Sequence, residues 1–294
     1  MSAPIASGQP ESLRPDPARL LLPLSGAQTT TEPTPVVAFR NVIIAFAGPP
    51  VLKDITFSLA PGETRILLGP AGVGKSVLLK LANGLLRPDQ GSIRLFGQEI
   101  TAMPERDLFP LRTRIGMVFQ EGALFDSLTV RDNVAYQLIQ EKVADEEIDV
   151  RVREALTFVG LEQTFAMFPS SLSGGMRRRV AIARALINHP DFLLYDSPTG
   201  GLDPVTSTTI IELIVKQRDV HHTPSILVTH RLQDAFTLCS HRYDIEQGRM
   251  VPLPKGQTDH TTTFMMLDEG RLVFSGTLHD LVHSENPFVQ EFIE

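Results

Sequence analysis

A single cysteine, Cys239, leaves no partner for an internal disulfide and has none of the neighbours that a zinc or redox motif needs. Disulfide-framework and zinc-finger architectures are therefore excluded, and the residue reads as a small apolar core group in a reducing cytosol. Long apolar runs are missing as well. Nothing approaches the roughly 18 consecutive residues that would span a bilayer as a helix, so any membrane-spanning partner is expected to be another polypeptide. Positive charge is not in excess: Lys+Arg 27 against Asp+Glu 34 gives a formal net charge of −7. Nucleic acid is disfavoured as the main partner, because phosphate backbones need a basic face.

Near the N-terminus, the run from Ala18 to Leu24 is short, broken by Pro23 and preceded by no cationic stretch, unlike a signal peptide. Residues 1–36 are rich in Pro, Ala, Ser and Thr and lack periodicity, which predicts a disordered tail. Its leucines offer a docking motif at most.

From Val36 the pattern changes. Four short apolar runs bounded by Gly and Pro read as strands buried on both faces: Arg65–Leu68, Ile115–Phe119, Phe192–Tyr195 and Ser225–Thr229. Helical stretches separate them, such as Lys75 to Asn83 and Met176 to Asn188. Buried strands alternating with helices predict an α/β fold around a parallel sheet.

The first of these units carries a phosphate motif. Gly69-Pro70-Ala71-Gly72-Val73-Gly74-Lys75-Ser76, followed by Val77, fits G-x-x-x-x-G-K-[ST] between a strand and a helix. The glycines let backbone N–H groups turn towards phosphate oxygens, and the helix start adds its positive end. Lys75 is placed to reach the β and γ phosphates, and the Ser76 hydroxyl to ligate Mg²⁺. A second anion-binding arrangement follows: Leu172-Ser173-Gly174-Gly175-Met176 opens a helix that continues through Arg177-Arg178-Arg179 to Leu186. The three consecutive arginines point three ways around that helix, and Arg184 is a candidate partner for a buried carboxylate. His221 and His222 lack metal-ligand spacing and are expected on a solvated loop.

Together, the P-loop, the Ser-Gly-Gly helix start and the strand ending at Asp196 resemble an ABC-type ATPase, over residues 37–294 in uninterrupted order. The resemblance implies a P-loop NTPase fold with an ABC-type RecA-like core, an antiparallel β subdomain and a helical subdomain at about residues 121–179. Met176 stands where the family's signature usually has glutamine; Ser173, Gly174 and Gly175 keep its phosphate-facing part. It implies ATP and Mg²⁺ as cofactors, with Ser76, Gln120 and Asp196 toward the metal. Gln120 matches the Q-loop, Gly200-Gly201-Leu202-Asp203 the D-loop, and His230 the switch histidine that contacts the γ-phosphate. Phe46 stands where an aromatic ring stacks on adenine, or else is a core residue. The resemblance also implies that the signature of one subunit covers the nucleotide of another, so a second copy of the chain is expected.

The stretch Phe119-Gln120-Glu121-Gly122-Ala123-Leu124-Phe125, with Val130 to Tyr136 after it, is similar to the Mla-type ATPases that power lipid transporters built around MCE proteins. The ending Asn286 to Ile293 looks like that branch too, and amino-acid importers finish in a related way. This likeness implies a separate multi-span permease, an MCE-type substrate-binding protein and a peripheral position on the cytoplasmic face of the inner membrane. An amino-acid or other small-molecule transporter ATPase, or a non-transport ABC ATPase, are the alternatives.

Two features depart from the family pattern. Ile245–Val251 and Leu267–Val273 are near-copies of one strand-turn-strand phrase. The polar residues between them are expected as an inserted loop or extended hairpin, at about residues 245–264. At Ser197, directly after Asp196, the family usually has the glutamate that activates water. Three readings remain open: slow hydrolysis with His230 and Ser197 holding the water, a carboxylate from elsewhere such as Glu121, or a partner subunit carrying the glutamate.

Overall fold

The computed structural model describes residues 34–294; most of the expected N-terminal tail, its leucines included, lies outside the described residues. Val36, just before the first strand, already bonds to the neighbouring backbone. Its N–H donates to Leu59 O (2.8 Å) and its carbonyl accepts from Phe96 N (2.7 Å).

Strands β1 (Val37–Ala45) and β2 (Pro50–Leu59) pair antiparallel. Val37, Phe39, Val42 and Ile44 are buried, and the alternation survives a register shift at Asn41, whose φ is 49°. Next comes β3 (Thr64–Leu68), which runs into the P-loop and α1 (Lys75–Ala82). β4 (Gln90–Leu95) and β5 (Gln98–Glu99) complete the antiparallel sheet in the order β2-β1-β4-β5, and α2 (Glu105–Arg112) leads to β6 (Ile115–Val118).

Three helices follow: α3 (Val130–Gln140), α4 (Asp145–Phe158) and α5 (Gly174–Leu186). Val130, Val134 and Leu138 on α3 and Ile148, Val152 and Leu156 on α4 are buried at a spacing of four. That single apolar stripe on each helix is what packs them together. Buried Asn133 organises the loop before them: its amide donates to the carbonyls of Phe125, Leu128 and Thr129 and its Oδ1 accepts from Phe125 N. Phe125 and Tyr136 remain exposed, with ring centroids 4.8 Å apart.

The chain then returns through β7 (Phe192–Asp196), α6 (Pro204–His221), β8 (Ser225–Val228) and α7 (Leu232–Ser240). β9 (His241–Asp244) and β10 (Arg249–Pro252) form a separate hairpin; β11 (Thr262–Asp268), β12 (Arg271–Gly276), α8 (Leu278–Val282) and α9 (Pro287–Ile293) close the fold. The central sheet has the order β12-β11-β3-β8-β7-β6, with β12 antiparallel to β11 and the other pairings parallel. Ile66 to Leu68, Phe192 to Tyr195 and Ser225 to Val228 are buried throughout. Each large apolar side chain so buried contributes about 1.5–3 kcal/mol, and this rigid sheet holds the loops at its C-terminal edge.

The near-repeated phrases are both hairpins, but the insertion differs from its expected bounds. It starts its first strand at His241, and by Thr262 the chain is already pairing with β3. β9–β10 rests on α6 with its outward N–H groups covered. Tyr243 N donates to Asp219 Oδ2 (2.7 Å), Met250 N donates to Glu212 Oε1 (2.8 Å), and Pro252 has no N–H. Strand edges blocked in this way resist pairing with other chains.

Candidate active site

Between β3 and α1 the P-loop conforms to its motif for local reasons. Gly69 has φ 139° and a Cβ there would sit 2.3 Å from Leu267 O; Gly74 has φ 109° and a Cβ would sit 2.7 Å from Leu52 Cδ2. Only glycine fits either position. No side chain caps α1 and no acid lies in its first turn, so its first N–H groups and the positive end of the helix are left for an anion. Lys75 is buried and its ammonium donates to Gly69 O (2.7 Å) and Pro70 O (2.6 Å). Burial lowers its pKa, and the nearby Asp196 carboxylate acts in the opposite direction. An ammonium has three donors, which leaves one for a ligand oxygen.

A cleft of about 360 Å³ opens over this loop, lined by Val51, Ala71, Gly72, Gly74, Lys75, Ser76, Val77, Gln120, Ser197 and His230. Residues from five separate segments thus meet at one place. Gln120 follows β6, Ser197 follows β7, and His230 lies just past β8. Val51, at the start of β2, carried no motif and was missed by sequence reasoning. Asp196 ends β7 half-buried beside the loop. Among the described residues no group of three or more His, Cys, Asp or Glu could hold a metal. The available donors, the Ser76 hydroxyl, the Gln120 amide oxygen and the Asp196 carboxylate, are the hard oxygen ligands that Mg²⁺ takes alongside phosphate oxygens.

Phe46 is 52% exposed at the end of β1 and outside the cleft lining. It is not a core residue.

Ser197 adopts a left-handed φ of 48°. Its N–H donates to Val228 O (3.0 Å) and its carbonyl accepts from Gly200 N (2.9 Å). Neither nearby acid lines the cleft: Glu121 is exposed, and buried Asp234 accepts from the Thr199 hydroxyl and lies 3.6 Å from Arg231 Nε.

Ser173, Gly174 and Gly175 lie outside this cleft. Ser173 caps α5, its hydroxyl accepting from Met176 N at 3.2 Å. A Cβ on Gly175 would lie 2.3 Å from Thr206 Cγ2, so the close approach of α5 to α6 accounts for that glycine within the chain. Of the α5 arginines, Arg184 differs from expectation. Among the described residues Arg184 pairs with no carboxylate; it donates to Gly122 O and Ala123 O, both at 2.8 Å. Arg177 donates to Leu172 O (2.8 Å), Arg179 to Val159 O (3.0 Å), and Arg178 to Phe119 O (3.0 Å) and Gly200 O (3.2 Å). Their polar ends complete loop backbones. His221 and His222 are exposed as expected, though His221 is the last residue of α6 and His222 its left-handed cap, not parts of a free loop.

The family model described as ABC transporter matches residues 52–200. The chain belongs to the ABC transporter family. It is 40% identical over 220 residues to the methionine import ATP-binding protein MetN 2 of Bacillus cereus, which covers 74% of this chain and 65% of that protein. This chain therefore spans less than two thirds of that relative's length. It is 37% identical over 267 residues to the chloroplastic protein TRIGALACTOSYLDIACYLGLYCEROL 3 of Arabidopsis thaliana, covering 87% of this chain and 73% of that one. A solved dimeric ATP-binding cassette in a post-hydrolysis state, bound to ADP and Pi, superposes with a TM-score of 0.69 at 28% identity over 82% of this chain and 98% of that one. The fold is that of an ABC cassette, and ATP with Mg²⁺ is the family's cofactor pair. The open glycine cradle, uncapped α1 and the Lys75 ammonium fit it.

Proposed function

We propose that this protein is an ATP-hydrolysing motor subunit that works as a homodimer and drives a separate membrane permease. The observation that carries this reading is the convergence of Lys75, Ser76, Gln120, Ser197 and His230 on one cleft above the uncapped start of α1. Bound Mg²⁺ and ATP supply the phosphoryl group and the charge that makes it transferable. Lys75 and the first-turn N–H groups hold phosphate oxygens. Ser76, Gln120 and Asp196 position the metal, and His230 with Ser197 orients water for in-line attack. Phe46, exposed and unshielded, is assigned to adenine stacking. Ser173 and Gly174, both exposed, are assigned to the nucleotide of the second copy. Hydrolysis then depends mainly on positioning and charge stabilisation, which supply most of phosphoryl-transfer catalysis.

For the cargo we propose a lipid, received through an MCE-type binding protein, with this chain itself peripheral on the cytoplasmic face of the inner membrane. Support comes from the relative named for a galactolipid, whose similarity extends over 87% of this chain. Among the described residues no helix is long and apolar enough to cross a membrane, so the permease is assigned to another chain. Amino-acid import is the second reading, favoured by the 40% identity to a methionine import protein. Affinity purification of the tagged protein from detergent-solubilised membranes, with mass spectrometry of proteins and lipids, separates the two. An MCE protein and co-purified phospholipid are expected. Recovery of an amino-acid permease with no MCE protein would replace the lipid reading.

A further inference from the structure

We infer that Arg178 is a positioning residue that fixes Gln120 relative to Ser197. Its guanidinium is buried, and its two terminal nitrogens reach two different loops: one donates to Phe119 O at 3.0 Å, the other to Gly200 O at 3.2 Å. Phe119 immediately precedes Gln120. Gly200 in turn donates its N–H to Ser197 O at 2.9 Å. One planar side chain thus links the backbones of the two cleft residues, and the rigid fork of a guanidinium sets the separation of the carbonyls it joins.

Arg184 adds a hold on the other side of Gln120, through the carbonyls of Gly122 and Ala123. Only Gln120 and Glu121 lie between the anchored carbonyls of Phe119 and Gly122. Burial of the Arg178 guanidinium lowers its pKa and the Glu121 carboxylate acts in the opposite direction; a guanidinium stays charged in either case, so the bridge keeps its charge. The bridge starts on α5, which also packs against α3 and α4. A displacement of those helices would be carried to both cleft loops at once. Where Ser197 provides no base, the geometry of the water-holding groups carries more of the rate.

The inference rests on the hydrolytic reading above for its kinetic part but not for its structural part. Hydrogen exchange on the nucleotide-free full chain tests the structural part: in Arg178→Gln, amides in residues 119–123 and 197–202 are expected to exchange at least tenfold faster together, with β3 and β11 unchanged. Faster exchange in only one loop, or in neither, would overturn the bridge. For ATP turnover, Arg178→Gln is expected to lower kcat at least tenfold with KM within about twofold, and Arg178→Lys to recover melting temperature but not kcat, since an ammonium cannot span both carbonyls in the same geometry. Arg179→Gln, which removes a bond to Val159 O remote from Gln120, is expected to keep kcat within twofold. Full recovery of kcat by lysine, or equal losses in the Arg178 and Arg179 variants, would mean that α5 stability or charge alone is being read. A wild-type chain without ATP turnover would refute the hydrolytic reading while the exchange result still judged the bridge.

Discussion

Gln120 and Ser197 approach each other across Gly200: the position that a Cβ on this glycine would take lies 3.5 Å from Ser197 Cβ and 3.6 Å from Gln120 Cγ. An amide and a hydroxyl therefore share one wall of the cleft, where a water can be held by hydrogen bonds but not deprotonated by a strong base. A hydroxyl is neutral at pH 7, whereas general-base assistance is worth about 10²–10⁴ in rate.

Replacing Ser197 with glutamate is accordingly expected to raise ATP turnover at least tenfold. Serine already holds the left-handed φ of 48° at this position, so glutamate adds side-chain bulk toward the cleft rather than a new backbone strain. Steady-state phosphate release from purified Ser197→Glu and wild type checks this. Equal rates would show that the water is activated by a group outside the Gln120, Ser197 and His230 set.

Lys75→Ala is expected to abolish tight Mg-ATP binding while leaving the melting temperature nearly unchanged. Among the described residues the ammonium bonds only to carbonyls of its own loop, Gly69 O and Pro70 O, and its desolvation opposes its charge. Removing it relieves a burial cost as it removes two hydrogen bonds. Fluorescent-nucleotide titration with a thermal melt checks both halves, and near-normal affinity in a folded variant would refute the phosphate role.

Much of this site was legible because its signals are local. The Gly-x-x-x-x-Gly-Lys-Ser spacing dictates a loop whose glycines take positive φ values that favour glycine, and uninterrupted apolar runs such as Phe192–Tyr195 dictate strands buried on both faces. Features set by distant partners were not legible. The β9–β10 hairpin is polar in sequence, and it is held in place by Glu212 and Asp219 of α6, which no local pattern links to it. Arg184 looked like half of an ion pair because long-range carbonyl acceptors have no sequence signature. Gly175 read as a phosphate contact, and its packing against Thr206 becomes visible only once α5 and α6 are placed side by side.

The Phe125–Tyr136 pair, exposed and 4.8 Å apart, is an apolar feature of the α3 region suited to a permease coupling helix. Phe125→Asp is expected to weaken co-purification of the permease at least tenfold and to change ATP affinity less than twofold. The side chain is not needed for the fold, since Asn133 holds this loop through backbone atoms. Undiminished permease recovery with a folded variant would move the docking surface elsewhere.

The Cys239 thiol is pushed up to about 12, first by burial and then by the Asp259 carboxylate, against the Arg218 guanidinium. An ordinary cysteine titrates near about 8.5, so the folded state favours the neutral thiol. The resulting stabilisation is fully present below about pH 8.5 and is lost as pH rises toward 12. At pH 8 the native thiolate fraction is on the order of 10⁻⁴, and alkylation by iodoacetamide should proceed only on unfolding. Rapid labelling of native protein at pH 8 would show that this region opens readily.

Arg218 is the point at which α6, α7 and the inserted segment are joined. It is 4% exposed, pairs with Asp219 (2.6 Å) and Asp259 (3.3 Å), and donates to Leu238 O, His241 O and Thr262 Oγ1. Removing one partner from a buried charged network costs about 3–5 kcal/mol, mostly through the charges and carbonyls left behind. Arg218→Met should therefore lower the melting temperature by about 10 °C, at roughly 2–4 °C per kcal/mol for a domain of this size. Asp219 retains Tyr243 N as a donor, whereas Asp259, at 18% side-chain exposure, is left largely without its countercharge. The double variant Arg218→Met with Asp259→Asn is thus expected to recover about half of the loss. If the single variant melts within 2 °C of wild type, the insertion is held by its backbone bonds to Glu212 and Asp219 and not through this arginine.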